Sequence, residues 1–238
     1  MSSVNEILAK LNIRRKDLNN LSTTQLETIF SNLTSKEISL LCRVNRKFNT
    51  LCKYESYWKN RVRNRHGIRK MYGDTWRETA KIMDEFNMIN MDTVWLDGRT
   101  YWEILDDALE NGHNILEGLQ VKYLLPYVND NKEDAEHLRG DIRGDKEEIQ
   151  FFGKNVNGKL YTDDELDNIS LINSWDLDVI YTAVLIYGPL NVGVYEFLPG
   201  GGIDTASQSY ESLRKMIDPI LYVMQFSSVS PSGLEILL

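Results

Sequence analysis

The chain has 238 residues and a net charge of −8, with 42% hydrophobic and 26% charged residues. That is sequence enough for one large domain, or for a small module followed by a second domain, at the composition of an ordinary globular protein. No run of 18 apolar residues and no basic-then-apolar leader is present, so neither a membrane span nor a secretory signal is expected.

In chain order, Val4, Ile7, Leu8 and Leu11 have helical spacing and predict a short leading helix. Ser22 or Thr23 can cap a helix running to about Asn32, with Leu26, Ile29, Phe30 and Leu33 at i, i+3, i+4 and i+7. Thr34 or Ser35 caps a second stripe through Ile38, Leu41, Val44, Phe48 and Leu51, read as continuous for about four turns. A helix over about 54–66 stops at Gly67, and Asp74 caps another with Trp76, Ala80 and Met83 inward.

Beyond residue 90 the pattern loosens. Val94-Trp95-Leu96 predicts a short strand before an Asp97-Gly98 turn, residues 100–110 and 115–128 predict helices, and 129–148 a solvated loop or exposed helix. Phe151-Phe152 and Leu160-Tyr161 flank Asn157-Gly158, a hairpin signal. A helix over 163–173 has Asp163 as its cap. The apolar run Val179–Tyr187 predicts a buried strand, with a buried helix as the alternative. Further strands are expected at 192–198 and 220–226, a loop at 199–202 and a helix at 205–217. The fold class expected is therefore α+β, an all-helical N-terminal module followed by a mixed α/β domain.

Charge is segregated along the chain. Residues 1–70 carry 15 Lys and Arg against 5 acids, and residues 71–238 carry 12 against 30. Within 43–70 the basic positions Arg43, Arg46, Lys47, Lys59, Arg61, Arg63 and Arg65 form a candidate patch, for an acidic partner or for phosphate. Cys42 and Cys52, the only cysteines, read as buried reduced thiols.

Chemistry-bearing motifs fail. His66, His113 and His137 are scattered, and no metal-ligand spacing emerges. The glycines at 200–202 precede Ile203-Asp204 where a phosphate loop needs Lys-Ser/Thr. Asp106-Asp107 and Asp163-Asp164-Glu165 read as structural or solvated acids. No catalytic residue, metal or cofactor is expected, and the chain reads as non-enzymatic.

The order Leu21-Ser22, Leu26, Ile29-Phe30, Leu33, then Leu41, Val44, Arg46, Phe48, Leu51 and finally Tyr57-Trp58 resembles the F-box family. The resemblance covers about 45 residues and departs from the family where Pro becomes Ser22 and Glu becomes Thr24. It implies an adaptor-binding helical module at 1–66, a helical extension at 67–90 and a mixed α/β domain at 91–238 as a candidate target-binding region. The implied partners are a Skp-type adaptor, through it a cullin scaffold of a ubiquitin ligase, and an unknown target. Leu21, Ser22, Leu26, Ile29, Phe30, Leu33 and Trp58 are the expected adaptor-binding residues, with part of Trp58 exposed. Such a protein acts inside the cell, in cytoplasm or nucleus. The segment through Trp58, Gly67 and Trp76 is similar to F-box-like proteins of large DNA viruses of protists. A structural or assembly protein that keeps the fold without ligase recruitment is the alternative. Nucleic-acid binding through 43–70 is a lesser one, and no membrane partner is expected.

Overall fold

The structure, a computed structural model, describes residues 3–14, 17, 20–141, 145–187 and 218–235. It divides into two compact units, 1–91 and 92–238. Of the described residues 69% are helical, and none lies in a strand or sheet. The expected α+β class is thereby overturned, since the second unit is helical as well.

Unit 1 contains α1 (Val4–Lys10), α2 (Thr23–Ser31), α3 (Ser35–Leu41), α4 (Arg46–Cys52), α5 (Glu55–His66) and α6 (Trp76–Glu85). Its helix starts are written in the sequence. Ser3 with Glu6, Ser22 with Gln25 and Thr34 with Glu37 each close a capping box, satisfying amides that a helix start leaves orphaned. Gly67, at φ 66°, ends α5 in the left-handed conformation that costs an L-residue most. The cap of α6 is Thr75 rather than Asp74. The single stripe expected over 35–51 is two helices, because Asn45 turns its side chain onto the amides of Lys47 and Phe48 and restarts the chain. Cys42, capping α3, and Cys52, ending α4, are joined as a disulfide across Cα atoms 6.3 Å apart, where free thiols were expected.

Unit 2 contains α7 (Tyr101–Asn111), α8 (Asn114–Leu124), α9 (Lys132–Asp141), α10 (Lys146–Phe152), α11 (Asp163–Ile172), α12 (Trp175–Tyr187), α13 (Pro219–Ser227) and α14 (Pro231–Glu235). Helix α12 packs against α7, α13 and α14, and α8 against α7, α9 and α11. Each expected strand that falls on described residues has another structure, for an identifiable reason. Val94–Leu96 makes only an isolated bridge to Thr100 around the Asp97-Gly98 turn. The run Val179–Tyr187 lies in α12, where Val179, Ile180, Ala183 and Val184 are buried; a continuous apolar segment does not distinguish strand from helix. Residues 220–226 lie in α13, which Asp218 caps and Pro219 opens at N1. Phe151-Phe152 ends α10, and the chain then makes a π-helical turn over Gly153–Asn157 before Gly158, at φ 62°, reverses it. Tyr161 finds its pairing partner in a side chain. The Gln150 amide accepts from its N–H at 2.8 Å and donates to its C=O at 2.9 Å, as a neighbouring strand would. The expectations at 192–198, 199–202 and 205–217 lie outside the described residues.

The stretch Asp163–Ile186 is long and apolar enough by composition to cross a membrane. Half of its most apolar 18-residue window is buried, and Asn173-Ser174 divides the stretch into α11 and α12, so its buried side chains belong to the core of unit 2.

Gly153 sits so close to Tyr161 that an added Cβ would lie 2.5 Å from its ring and 2.8 Å from the Lys159 carbonyl. Gly118, in α8, has open space around its Cβ position. We expect Gly153→Ala to lower unfolding free energy by about 1–3 kcal/mol through overpacking. Gly118→Ala should raise it by about 0.5–1 kcal/mol through helix propensity. Urea unfolding of the two variants beside the wild type measures both.

Candidate functional site: the helical module of unit 1

The F-box-like positions build a closed interior. Leu26, Phe30, Leu33, Ile38, Leu41, Phe48, Leu51 and Trp58 are all buried, with Phe30, Leu33, Phe48 and Trp58 at 0% exposure. Phe30 meets Phe48 and Tyr57 at ring-centroid distances of 5.4 and 5.8 Å, and Tyr57 stands edge-on to Trp58 at 5.2 Å. The Trp58 indole donates to the Cys52 carbonyl at 2.9 Å, so its one polar atom is satisfied inside. Of the seven expected adaptor-contact residues, Leu26, Phe30, Leu33 and Trp58 are thus core. Ser22 is exposed, and Leu21 and Ile29 are partly accessible. Trp58 has no exposed part, contrary to expectation.

The basic segment also divides. Arg43, Arg46, Lys47, Lys59, Arg63 and Arg65 are exposed, whereas Arg61 is buried. Arg61 follows Trp58 by three residues and so points to the same inward face of α5. Its guanidinium donates to the Phe30 carbonyl at 2.8 Å and to the Leu33 carbonyl, capping the exit from α2. Its charge is balanced by Asp84 of α6, 3.5 Å away. Asp84 also accepts from the Ser35 amide at 2.5 Å, at the N-terminus of α3, where the helix dipole favours an anion. Arg65 and His66 approach the same carboxylate at 3.3 and 3.5 Å, and the His66 Nδ1 is 2.8 Å from the Met88 carbonyl.

Burial alone would push the Asp84 carboxyl up. The hydrogen bonds from His66 and Ser35 and the Arg61 charge outweigh it and hold the group well below the ordinary carboxylate range. The sequence reading missed Asp84, although its position four residues after inward Ala80, on the apolar face of α6, was a visible signal of a buried charge.

Alongside this network a groove of about 660 Å³ opens between α2 and α5. Tyr54, Tyr57, Asn60, Asn64 and Arg65 line it, and no carboxylate does. Lys59 lies 5.7 Å from the Trp76 ring, on the side facing α6.

Several titratable groups in unit 2 have structural partners. Asp107 pairs with Arg99 at 2.6 Å, and Glu165 closes the capping box of α11. Burial pushes the Tyr101 hydroxyl up to about 12, and burial with the neighbouring Glu117 does the same to Tyr181, so neither is a base near neutral pH. Among the described residues no group of three His, Cys, Asp or Glu could hold a metal. No family model matches the chain, and no curated protein or solved structure is detectably similar to it.

We expect Asp84→Asn to destabilise unit 1 by about 3–5 kcal/mol, because it leaves the buried Arg61 charge uncompensated. Asp84 binds its proton more weakly in the folded chain than in the unfolded one. Its contribution is therefore complete above the unfolded value near 3.8 and is lost as pH falls through the lower folded value. The stability gap between wild type and variant, read by urea titration at a series of pH values, should hold from neutral pH to the carboxylate range and narrow only below it.

Proposed function

We infer that this chain is a non-enzymatic protein–protein interaction protein built on an F-box-like helical module. One observation carries the reading: the apolar residues that follow the F-box order from Leu26 to Trp58 interlock as a single helical core in unit 1.

Their burial favours one form of it, a structural or assembly protein that keeps the module without recruiting a ligase. An interface needs its anchoring side chains accessible, and Leu26, Phe30 and Leu33 are already fully packed. The second form is a substrate-recognition subunit that binds a Skp-type adaptor and through it a cullin, with its target unknown. It is supported by the accessibility of Leu21, Ser22 and Ile29 and by the exposed cations of α4 and α5, which suit an acidic adaptor. Nucleic-acid binding through the same cations is weakened by the withdrawal of Arg61 into the core.

Co-purification with a purified Skp-type adaptor separates the two forms. The informative variant is Leu21→Asp/Ile29→Asp, because substitutions at Leu26 or Phe30 would unfold the core instead of testing a surface. We expect neither wild type nor variant to be captured. Capture of the wild type that falls tenfold or more in a still-folded variant, a difference of about 1.4 kcal/mol, would establish recruitment instead.

A further inference from the structure

A second groove of unit 1 gathers positive charge that the fold does not answer. It has a volume of about 980 Å³ and is bounded by α3, α4 and α6. Its lining holds four cations, Lys36, Arg43, Arg77 and Lys81, and two acids, Glu37 and Glu85. Both acids are already engaged. Glu37 accepts from the Thr34 amide at 2.9 Å and meets Lys10 at 3.5 Å, and Glu85 pairs with Lys36 at 2.8 Å. That leaves Arg43, Arg77 and Lys81 with no carboxylate in ion-pair reach among the described residues.

Arg77 is the most firmly placed of the three. Its guanidinium lies 5.7 Å from the ring of the buried Trp58, and one terminal nitrogen donates to the Ser39 hydroxyl at 3.2 Å. Its Nε is buried and has no acceptor. A guanidinium fork thus keeps most of its donors unused, and a half-buried cation without a counter-charge is costly. Lys81 follows Arg77 by four residues, so two like charges stand one turn apart on a single face of α6. Arg43, just beyond α3, adds a third. An anion seated among these cations offsets a repulsion that the fold itself leaves in place.

The number of cations favours phosphate over carboxylate. A phosphate monoester brings a charge of about −1.5 to −2 and three acceptor oxygens, whereas a carboxylate is satisfied by one guanidinium. The groove is larger than a phosphate alone needs. Its size is that of clefts which hold small organic ligands, and Leu40 and Asn49 give it an apolar wall and an amide.

We propose that the groove bounded by α3, α4 and α6 binds a phosphate monoester, with the phosphate held by Arg43, Arg77 and Lys81 and the organic body lying along Leu40 and Asn49. The site belongs to unit 1 alone. Leu21 and Ile29 take no part in it, so either result of the adaptor capture leaves it standing.

The test is isothermal titration calorimetry of the full chain with inorganic phosphate, adenosine monophosphate and a capped phosphoserine peptide. The same peptide with Glu in place of phosphoserine is the carboxylate control. At least one ester should bind one to one, about tenfold or more tighter than inorganic phosphate and the Glu peptide. Tighter binding of the nucleotide assigns the site to a small metabolite, and tighter binding of the peptide assigns it to a phosphorylated protein side chain. Comparable binding of both supports a site that selects the ester whatever its body. Arg43→Gln/Lys81→Gln should weaken binding about tenfold or more while keeping the wild-type helical circular dichroism. Arg77→Lys, which keeps the charge and loses the fork, should weaken it as well. Lys59→Gln, outside the groove, should leave it unchanged. Failure of both esters to bind overturns the proposal, as does binding indifferent to Arg43→Gln/Lys81→Gln or weakened equally by Lys59→Gln. Inorganic phosphate or the Glu peptide binding as tightly as the esters overturns it too.

Discussion

Unit 1 is organised around one carboxylate. Asp84 stands where three backbone problems meet: the carbonyls at the end of α2, the amides at the start of α3 and the inward face of α5. Arg61 answers the first by donating to the carbonyls of Phe30 and Leu33, and Asp84 answers the second by accepting from Ser35. Each ion neutralises the other, and each also satisfies backbone groups that packing would otherwise leave unmet. A buried pair of charges is weak evidence for net stability taken alone, because desolvation opposes the Coulombic gain. Here the hydrogen bonds made to α2 and α3 change what the pair does: it ties four helices, α2, α3, α5 and α6, together.

That arrangement explains what the sequence disclosed of unit 1 and what it did not. The helix starts were legible because Ser22, Thr34 and their partners three residues on act locally. The apolar order from Leu26 to Trp58 was legible because it is periodic. Whether those side chains face a partner or one another is not a property of spacing. It depends on how closely the helices approach, and Arg61 and Asp84, distant in sequence, set that approach. A cation inside a run of cations reads as surface, and only the inward phase of α5 marks Arg61 as different from Arg63.

In unit 2 the sequence misled for a different reason. Phe151-Phe152, Leu160-Tyr161 and the run through Val184 have the composition of strands, but composition measures fitness for burial as much as for pleating. Gln150 supplies Tyr161 with the two hydrogen bonds of a strand neighbour, Gln120 donates to the Ile172 carbonyl at 3.0 Å, and Asn173 donates to the Leu138 carbonyl at 2.9 Å. Gln120 and Asn173 thus satisfy carbonyls in the last turns of α11 and α9, groups a helix end leaves orphaned, while Gln150 alone stands in for a strand neighbour.

The same reasoning bears on where a partner can act. A hydrophobic surface is available for binding only if the free protein leaves it uncovered, and unit 1 buries most of its F-box-like apolar set, leaving Leu21, Ile29 and Val44 partly accessible. Substituting Phe30 therefore tests folding before it tests recognition. Recognition is better sought among side chains that the fold leaves accessible, such as Tyr54, Lys59 and Arg63 around α5 and Phe151 on α10. These features lie on opposite sides of the charge division along the chain. That segregation would favour a partner acidic toward unit 1 and basic toward unit 2.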